Sequence, residues 1–256
     1  MRRINKQLPK LIAIILMITV GFAFNNDVKA QDEERGFMLS MGESTIKQGH
    51  NTAFREGVKA WKACYLENGG EWTWNIWRRW QGEGNVYVLT SRMDKWAEMD
   101  EGADEAGMKC RHLVRDMINP HIESSNSSLA RFLPAWSKSS QSANNVIWVT
   151  YWRVENFSNF VEIAKTVGDA MQSAEGDKRG YWYRAIGGGP DSYDYFVVTP
   201  FENFAAMDVE RDGVWTLVEK ELGEEKKNEM QAIWRDSVEN AWSYIFTKQE
   251  DLSHQP

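Results

Sequence analysis

The amino-acid sequence predicts an α+β fold in which two similar halves follow each other along one chain. In segment 88–100 and again in segment 195–208, an apolar run precedes an aromatic residue, an alanine, a methionine and an aspartate. A helical face repeats in the same way, because four apolar residues at steps of four, three and four recur later in the chain. The matching residues are Trp96, Ala97, Met99 and Asp100 with Phe204, Ala205, Met207 and Asp208 (208 − 100 = 108), and Phe54, Val58, Trp61 and Tyr65 with Phe160, Ala164, Val167 and Met171 (160 − 54 = 106).

The first half shows alternating and helical patterns in a definite order. Aromatic residues hold the even positions 72, 74 and 80, with Ile76 between them, and this two-residue period indicates a strand. Pro120 is expected to bend or break a helical stretch. The predicted elements are a strand at 37–41, a helix from Asn51 to Gly69, strands at 72–80 and 86–90, helical segments within 94–122, and a strand at 129–133.

The second half restarts this order after a polar segment. Gly187, Gly188 and Gly189 follow an apolar run and lead into another, so they indicate a hairpin turn rather than a phosphate-binding loop. The predicted elements are strands at 146–152 and 180–186, a strand from Tyr195, helical segments within 215–238, a strand at 242–246 and a tail at 250–256.

Strand, helix, strand, strand, helix, strand is the order of the ferredoxin-like, or split βαβ, unit. Such a unit leaves one sheet face bare, and burying apolar surface is worth roughly 25 cal/mol per Å². We therefore expect two ferredoxin-like (βαββαβ) modules that pack sheet to sheet. The predicted boundaries are 31–137 for the first module, 138–145 for the linker and 146–256 for the second module with its tail.

Residues 1–30 have the features of a signal peptide. Basic residues precede the apolar stretch Leu11–Phe24, and Val28, Lys29 and Ala30 form a small-x-small cleavage site. The apolar stretch is shorter than the roughly 20 residues that a spanning helix needs. We expect an exported protein, periplasmic or secreted, with no stable membrane insertion after cleavage.

The formal net charge is −7, and the basic leader makes the remainder more acidic still. Nucleic acids and anionic membranes bind basic surfaces, so neither is an expected partner. Thirteen tryptophans indicate either extensive sheet packing or an aromatic cavity. A homo-oligomer is left open.

Cys64 and Cys110 are the two cysteines of the chain, and both lie in segments predicted to be helical. In an exported protein they either form a disulfide bond or remain small buried side chains. Their number excludes a cysteine-rich zinc site. The histidines show no HxH or HExxH spacing, so no metal site is predicted.

The order of elements, together with the repeated segment that ends in Ala-x-Met-Asp, resembles the dimeric α+β barrel superfamily, in which two ferredoxin-like units close their sheets around a central space. Members include antibiotic-biosynthesis monooxygenases, NIPSNAP-like proteins, stress-responsive barrel proteins and haem-containing relatives of chlorite dismutase. The haem enzymes use a histidine of the second module. Here His254 is the only histidine beyond His121, so no cofactor is expected.

Aromatic and arginine side chains on the predicted strands are the candidate ligand-binding residues, with a histidine at the end of a loop. They are Trp74, Trp80, Trp148, Tyr183, Arg78, Arg184 and His50. The main hypothesis is an exported barrel that binds a small apolar or aromatic molecule. One alternative is a cofactor-independent, monooxygenase-like enzyme acting on an aromatic substrate, and another is a structural or interaction protein with a filled core. Enzymatic activity is left undecided.

Overall fold

Eight β-strands close into one barrel, and the α-helices pack against its outer face. The structure is a computed structural model that describes residues 36–142 and 144–255, and the predicted signal peptide at 1–30 lies outside these residues. Within the described ranges, none of the helices combines the length and the apolar character needed to cross a membrane. The predicted α+β class is confirmed.

The strands are β1 (Met38–Ile46), β2 (Asn75–Arg79), β3 (Asn85–Met93), β4 (Ile122–Phe132), β5 (Val146–Val154), β6 (Tyr181–Ile186), β7 (Tyr195–Phe201) and β8 (Val238–Lys248). The α-helices are α1 (Asn51–Glu67), α2 (Glu105–Leu113), α3 (Phe157–Glu175), α4 (Val214–Leu222) and α5 (Glu224–Ser237).

Around the barrel the strands follow the order β1-β3-β2-β8-β5-β7-β6-β4, and each neighbouring pair is antiparallel. Strands of the first half form one continuous arc, and strands of the second half form the other. The arcs are joined at both edges, where β2 pairs with β8 and β4 pairs with β6. The two arcs therefore form one closed sheet. We expected two separate sheets packed face to face, and the structure in addition joins them edge to edge by hydrogen bonds.

The interior of the barrel is filled by side chains from both arcs. Trp77 and Tyr183 pack there with Phe196 and Phe246, and the rings of Tyr183 and Phe196 stack with centroids 4.8 Å apart. Alternate residues of each strand face the helices instead, as the two-residue period of a strand requires. The central space that the resemblance implied is thus an aromatic core.

Each long helix covers the outer face of its own arc. Helix α3 begins where Asn156 Oδ1 accepts a hydrogen bond from Asn159 N (3.1 Å), and ends at Gly176, whose φ is +82°. Helix α2 continues as a π-helical turn, Val114–Ile118, and stops at the predicted break around Pro120. A Cβ at Gly57 would lie 2.2 Å from Met117 O, so α1 approaches this turn closely only because residue 57 is glycine.

Two strands begin earlier than expected and one is shorter. The added residues of β4 and β8 are mostly polar and exposed, so they lack the apolar alternation that marks a strand, yet β1 and β5 supply hydrogen-bonding partners along their length. Conversely, β2 spans only Asn75–Arg79, whereas the aromatic pattern covers 72–80. The pattern therefore extends beyond both ends of the hydrogen-bonded strand.

The C-terminal segment is packed rather than frayed. Leu252 is fully buried, its carbonyl accepts a hydrogen bond from Trp74 Nε1 (2.9 Å), and Ser253 Oγ accepts one from Ile76 N (2.8 Å). Backbone bonds also join Trp74 and His254. These contacts place the predicted tail against the first half of the chain. The local sequence does not predict this long-range pairing.

Asp177 attaches the segment between the halves to the start of β6. Its carboxylate accepts hydrogen bonds from the backbone N–H and the hydroxyl of both Ser139 and Ser140, and it pairs with Lys138 Nζ at 3.1 Å. Burial raises the pKa of Asp177, but these donors outweigh it and hold the pKa far below the ordinary value.

A disulfide bond joins Cys64 at the end of α1 to Cys110 in α2, across 46 residues and a Cα–Cα distance of 6.0 Å. In the chain-entropy account, a closed loop of this length stabilises the folded state by about 4 kcal/mol. Replacing both cysteines by serine should lower the free energy of unfolding by about 2–5 kcal/mol, measured by denaturant titration against the oxidised protein. A loss below about 1 kcal/mol would contradict this role of the bond.

Asp177→Asn should lower the free energy of unfolding at pH 7 by about 2–3 kcal/mol, because the variant leaves several donors unpaired. The depressed pKa makes this contribution present above the carboxyl's unfolded-state pKa and lost progressively as pH falls below it. Urea titrations from about pH 7 down to about pH 3 should show the difference from the unmodified protein narrowing below about pH 4. Asp169→Asn, an exposed carboxylate 3.7 Å from Lys178, is the control with little effect expected. A difference that stays constant with pH would exclude the ionised carboxylate as its source.

Candidate functional site

A cavity of about 650 Å³ lies between the outer face of β5, β6 and β7 and the helices α3, α4 and α5. It belongs to the second half of the chain and lies outside the barrel interior. Its lining residues are Trp136, Trp148, Thr150, Trp152, Ile163, Ala164, Val167, Gly168, Met171, Lys178, Arg179, Gly180, Trp182, Val197, Thr199, Phe201, Met207, Val209, Arg211, Val214, Trp215 and Trp234.

The inner end of the cavity, which we call the aromatic floor, consists of Trp136, Trp152, Trp182 and Trp234. The rings of Trp152 and Trp182 stack with centroids 4.9 Å apart at 10°, and Trp136 meets Trp182 edge to face at 5.7 Å. Trp234 of α5 meets Trp152 at 6.1 Å and 81°. Strand alternation turns residues 148, 150 and 152 of β5 towards the helices, since Ile147, Val149 and Tyr151 face the barrel core.

Three cationic side chains and few other polar groups also line the cavity. Lys178 donates to Ala135 O, while Arg179 bonds both carboxylate oxygens of Glu175 (2.9 and 2.6 Å). Hydrogen bonding with Arg179 lowers the pKa of Glu175 and keeps it ionised. Arg211 lies on the exposed segment between β7 and α4, and the hydroxyls of Thr150 and Thr199 line the sheet side.

The first half has a smaller counterpart of this cavity, about 280 Å³. There the indoles of Trp61 and Trp74 occupy the space between sheet and helix, with ring centroids 5.2 Å apart. The helix position of Trp61 corresponds to Val167 (167 − 61 = 106). Because Ile76 pairs with Leu89 as Trp182 pairs with Val197, the strand position of Trp74 corresponds to Gly180. Two indoles of the first half are thus replaced by valine and glycine, which opens the cavity.

Of the predicted ligand-binding residues, Trp148 lines this cavity. It is 42% exposed and lies at the outer end. Trp80 lies just beyond β2, 63% exposed, with its ring 5.1 Å from that of Phe204. Trp74 is buried on the helix side of the first half, where it lines the 280 Å³ pocket.

The other predicted residues lie apart from the cavity. Tyr183 faces the barrel core, where burial raises the pKa of its phenol. Arg78 is half-buried on β2. Arg184 lines a separate pocket of about 450 Å³ beside the Gly187–Gly189 turn.

His50 is exposed and its Nδ1 lies 2.9 Å from Nδ1 of His121, a contact across 71 residues that the sequence spacing did not reveal. Within the described ranges, no group of three or more His, Cys, Asp or Glu side chains is arranged to hold a metal ion.

Most of the lining was not among the predicted residues, and it comes from helices and loops as well as strands. Met171, Val167 and Ala164 belong to the repeated helical face, and Trp215 and Trp234 lie in the helical segments predicted within 215–238. One signal was present in the aligned halves, namely the small residues at 164, 167 and 180 opposite Val58, Trp61 and Trp74. A size difference at matched core positions indicates a void in one half.

Gly180→Ala should destabilise the protein by about 1–3 kcal/mol, because a Cβ there would lie 2.7 Å from Val197 Cγ2 and 2.9 Å from Val198 O. Gly42→Ala is the matched control, since a Cβ at this β1 position meets nothing within 4 Å. Thermal and urea unfolding of both variants provide the measurement. Equal stability of the two variants would show that the close approach at Gly180 is relieved without cost.

No protein-family model matches the chain, and no curated protein matches its sequence. A candidate monooxygenase from Lactobacillus acidophilus NCFM superposes with a TM-score of 0.50 at 10% identity, over 83% of this chain and 94% of that protein. A candidate monooxygenase from Fusobacterium nucleatum gives 0.49 at 12% identity, covering 84% and 93%. A heme-binding protein from Thermus thermophilus gives 0.48 at 10% identity, covering 86% and 93%. The first similarity shows the fold alone: this chain has a fold similar to that of the Lactobacillus protein.

Proposed function

We propose that this protein binds a small apolar or aromatic molecule in the cavity between α3 and the sheet of its second half. The observation that carries this proposal is the cavity itself, about 650 Å³ with six tryptophans in its lining. Ligand pockets in proteins commonly measure about 300–1,000 Å³ and combine mostly apolar walls with a few polar groups.

The lining matches a flat apolar molecule better than a polar one. Indole faces and edges on the aromatic floor provide stacking surfaces, and aromatic pairs contribute about 0.5–1.5 kcal/mol beyond the area that they bury. Polar groups are few: the Lys178 and Arg179 side chains are largely buried in the lining, at 13% and 17% exposed, whereas Arg211 is exposed. A ligand would therefore stack its ring system on the indoles and direct any polar substituent towards these cations.

The alternative of a monooxygenase-like enzyme has weaker support from the same residues. The three cations could stabilise an enolate-like anion, as oxyanion-stabilising groups do. A proton-abstracting base is also required for such chemistry, and the described residues that line the cavity include no histidine, aspartate or glutamate. Binding without turnover is the function that these residues support best.

The cavity residues do not fit the haem of the chlorite dismutase relatives. Haem iron is held in proteins by histidine, thiolate, tyrosinate or a histidine–methionine pair. Among the described lining residues there is no histidine, cysteine or tyrosine, and His50 and His121 contact each other in the first half. Met171 and Met207 alone do not complete such a ligand set, so we derive no reaction through haem.

We further infer that the chain is a tandem of two ferredoxin-like units and that it is exported before it binds its ligand. The repeated order of elements and the strand order within each arc support the tandem, including its resemblance to NIPSNAP-like and antibiotic-biosynthesis-type proteins. The basic and apolar leader supports export, and so does the Cys64–Cys110 disulfide, since disulfides persist in oxidising compartments.

Val167→Trp should reduce binding of an apolar fluorescent probe at least tenfold, because the new indole occupies the space that Trp61 fills in the first half. The probe is N-phenyl-1-naphthylamine, titrated by fluorescence. Ala174→Trp is the matched control: it adds an indole to an exposed position of α3 that does not line the cavity, and it should leave the dissociation constant unchanged.

Native mass spectrometry of the protein from its own host should show a retained small molecule in the unmodified protein and in Ala174→Trp, but not in Val167→Trp. Equal probe binding by Val167→Trp and the unmodified protein would place the binding elsewhere. Consumption of the retained molecule under oxygen, with formation of an oxygenated product, would favour the enzyme over the binding protein.

A further inference from the structure

An aromatic surface extends from the cavity onto the first half of the chain. It consists of Trp148, Phe204 and Trp80, which we call the aromatic ledge. Their exposed fractions are 42%, 40% and 63%, high for side chains of this size. Exposed aromatic surface that forms a patch beside a cavity commonly marks a binding surface.

The strand registers place Trp80 and Trp148 level with each other on the outer face of the sheet, with Ile245 of β8 between them. Trp80 N donates to Ile245 O (2.8 Å), and Ile245 is the register partner of Trp148 on β5. Neighbouring strands lie about 4.8 Å apart, so Trp80 lies about 10 Å from Trp148 along the outer face of the sheet. Trp148 lines the cavity, and the ledge therefore begins at the cavity's outer end.

Phe204 connects the ledge to the wall of the cavity by a second route. It begins the short 3₁₀ turn Phe204–Met207, which Asn203 caps by accepting a hydrogen bond from Ala206 N (3.0 Å). One end of this turn presents Phe204 to Trp80, with ring centroids 5.1 Å apart, and the other end presents Met207 to the cavity. The same turn thus contacts both surfaces.

We propose that the aromatic ledge is the outer part of the ligand site, and that the natural ligand is an elongated apolar molecule with two ring systems. One ring system would lie on the aromatic floor, and the second would stack on Trp80 and Phe204. This inference rests on the proposed function, and it assigns a residue of the first half to the site of the second half. Because Trp148 and the turn that carries Phe204 also line the cavity, a ligand of the cavity is favoured as the occupant over a partner protein.

Two uncharged fluorescent probes separate the ledge from the cavity. N-phenyl-1-naphthylamine is compact, whereas 1,6-diphenylhexatriene is a rod with a phenyl ring at each end. Trp80→Ala and Phe204→Ala should each weaken binding of the rod by roughly two- to tenfold, the range expected for one lost aromatic contact. Binding of the compact probe should change less than about twofold.

Trp96→Ala is the matched control. Trp96 begins the corresponding 3₁₀ turn of the first half and is 51% exposed, so its removal deletes a similar surface indole away from the cavity. This variant should bind both probes as the unmodified protein does.

The outcomes distinguish failure of the ledge from failure of the proposed function. If neither probe binds to the unmodified protein, the proposed function fails and the ledge fails with it. A second outcome is that both probes bind to the unmodified protein and lose binding in Val167→Trp, while the affinity for the rod stays unchanged in Trp80→Ala. In that case only the proposal for the ledge is overturned. Loss of a dimer in Trp80→Ala with unchanged rod affinity would assign the ledge to contacts between protein copies, and this too would overturn the proposal.

Discussion

Hydrogen bonding between the edges of the two four-stranded arcs is the interaction on which the rest of the structure depends. Strand β2 pairs with β8 through Trp77, Arg78 and Arg79, and β4 pairs with β6 from Leu129 to Phe132. Closure leaves no free edge among the eight described strands and buries the inner face of both arcs. Because that face carries Trp77, Tyr183 and other rings, the interior becomes a core, and the cavity of the second half lies on the helix-covered outer face instead.

The two outer faces are built on the same plan but filled differently. In the first half, Trp61 and Trp74 lie between helix and sheet, and the last residues of the chain close over Trp74 through Leu252. In the second half, Val167 and Gly180 hold the corresponding positions, and the missing volume appears as the 650 Å³ cavity. The filled half can stabilise the barrel while the open half leaves space for the proposed ligand, since stability and binding would then depend on different cores.

Much of the architecture followed from local patterns. The helical face of Phe54, Val58, Trp61 and Tyr65 predicted α1 correctly, because one-sided apolar periodicity is a short-range property. Strand ends were less predictable: β4 begins at Ile122, seven residues before the first residue assigned to it (129 − 122 = 7), because its polar half is held by pairing with β1 rather than by burial. Of the predicted ligand-binding residues, Trp148 lines the cavity.

The sequence by itself determined the α+β class, the repeated order of strands and helices, and the pairs of core positions that match between the halves. These properties depend on residues close together in the chain or on a comparison of the chain with itself. Tertiary structure decided which rings face the barrel core, where the C-terminal segment packs, and that Trp80 lies beside Phe204, 124 residues later (204 − 80 = 124). Such contacts arise only when strand pairing closes the barrel, since pairing sets the register and the register sets the face on which each side chain lies.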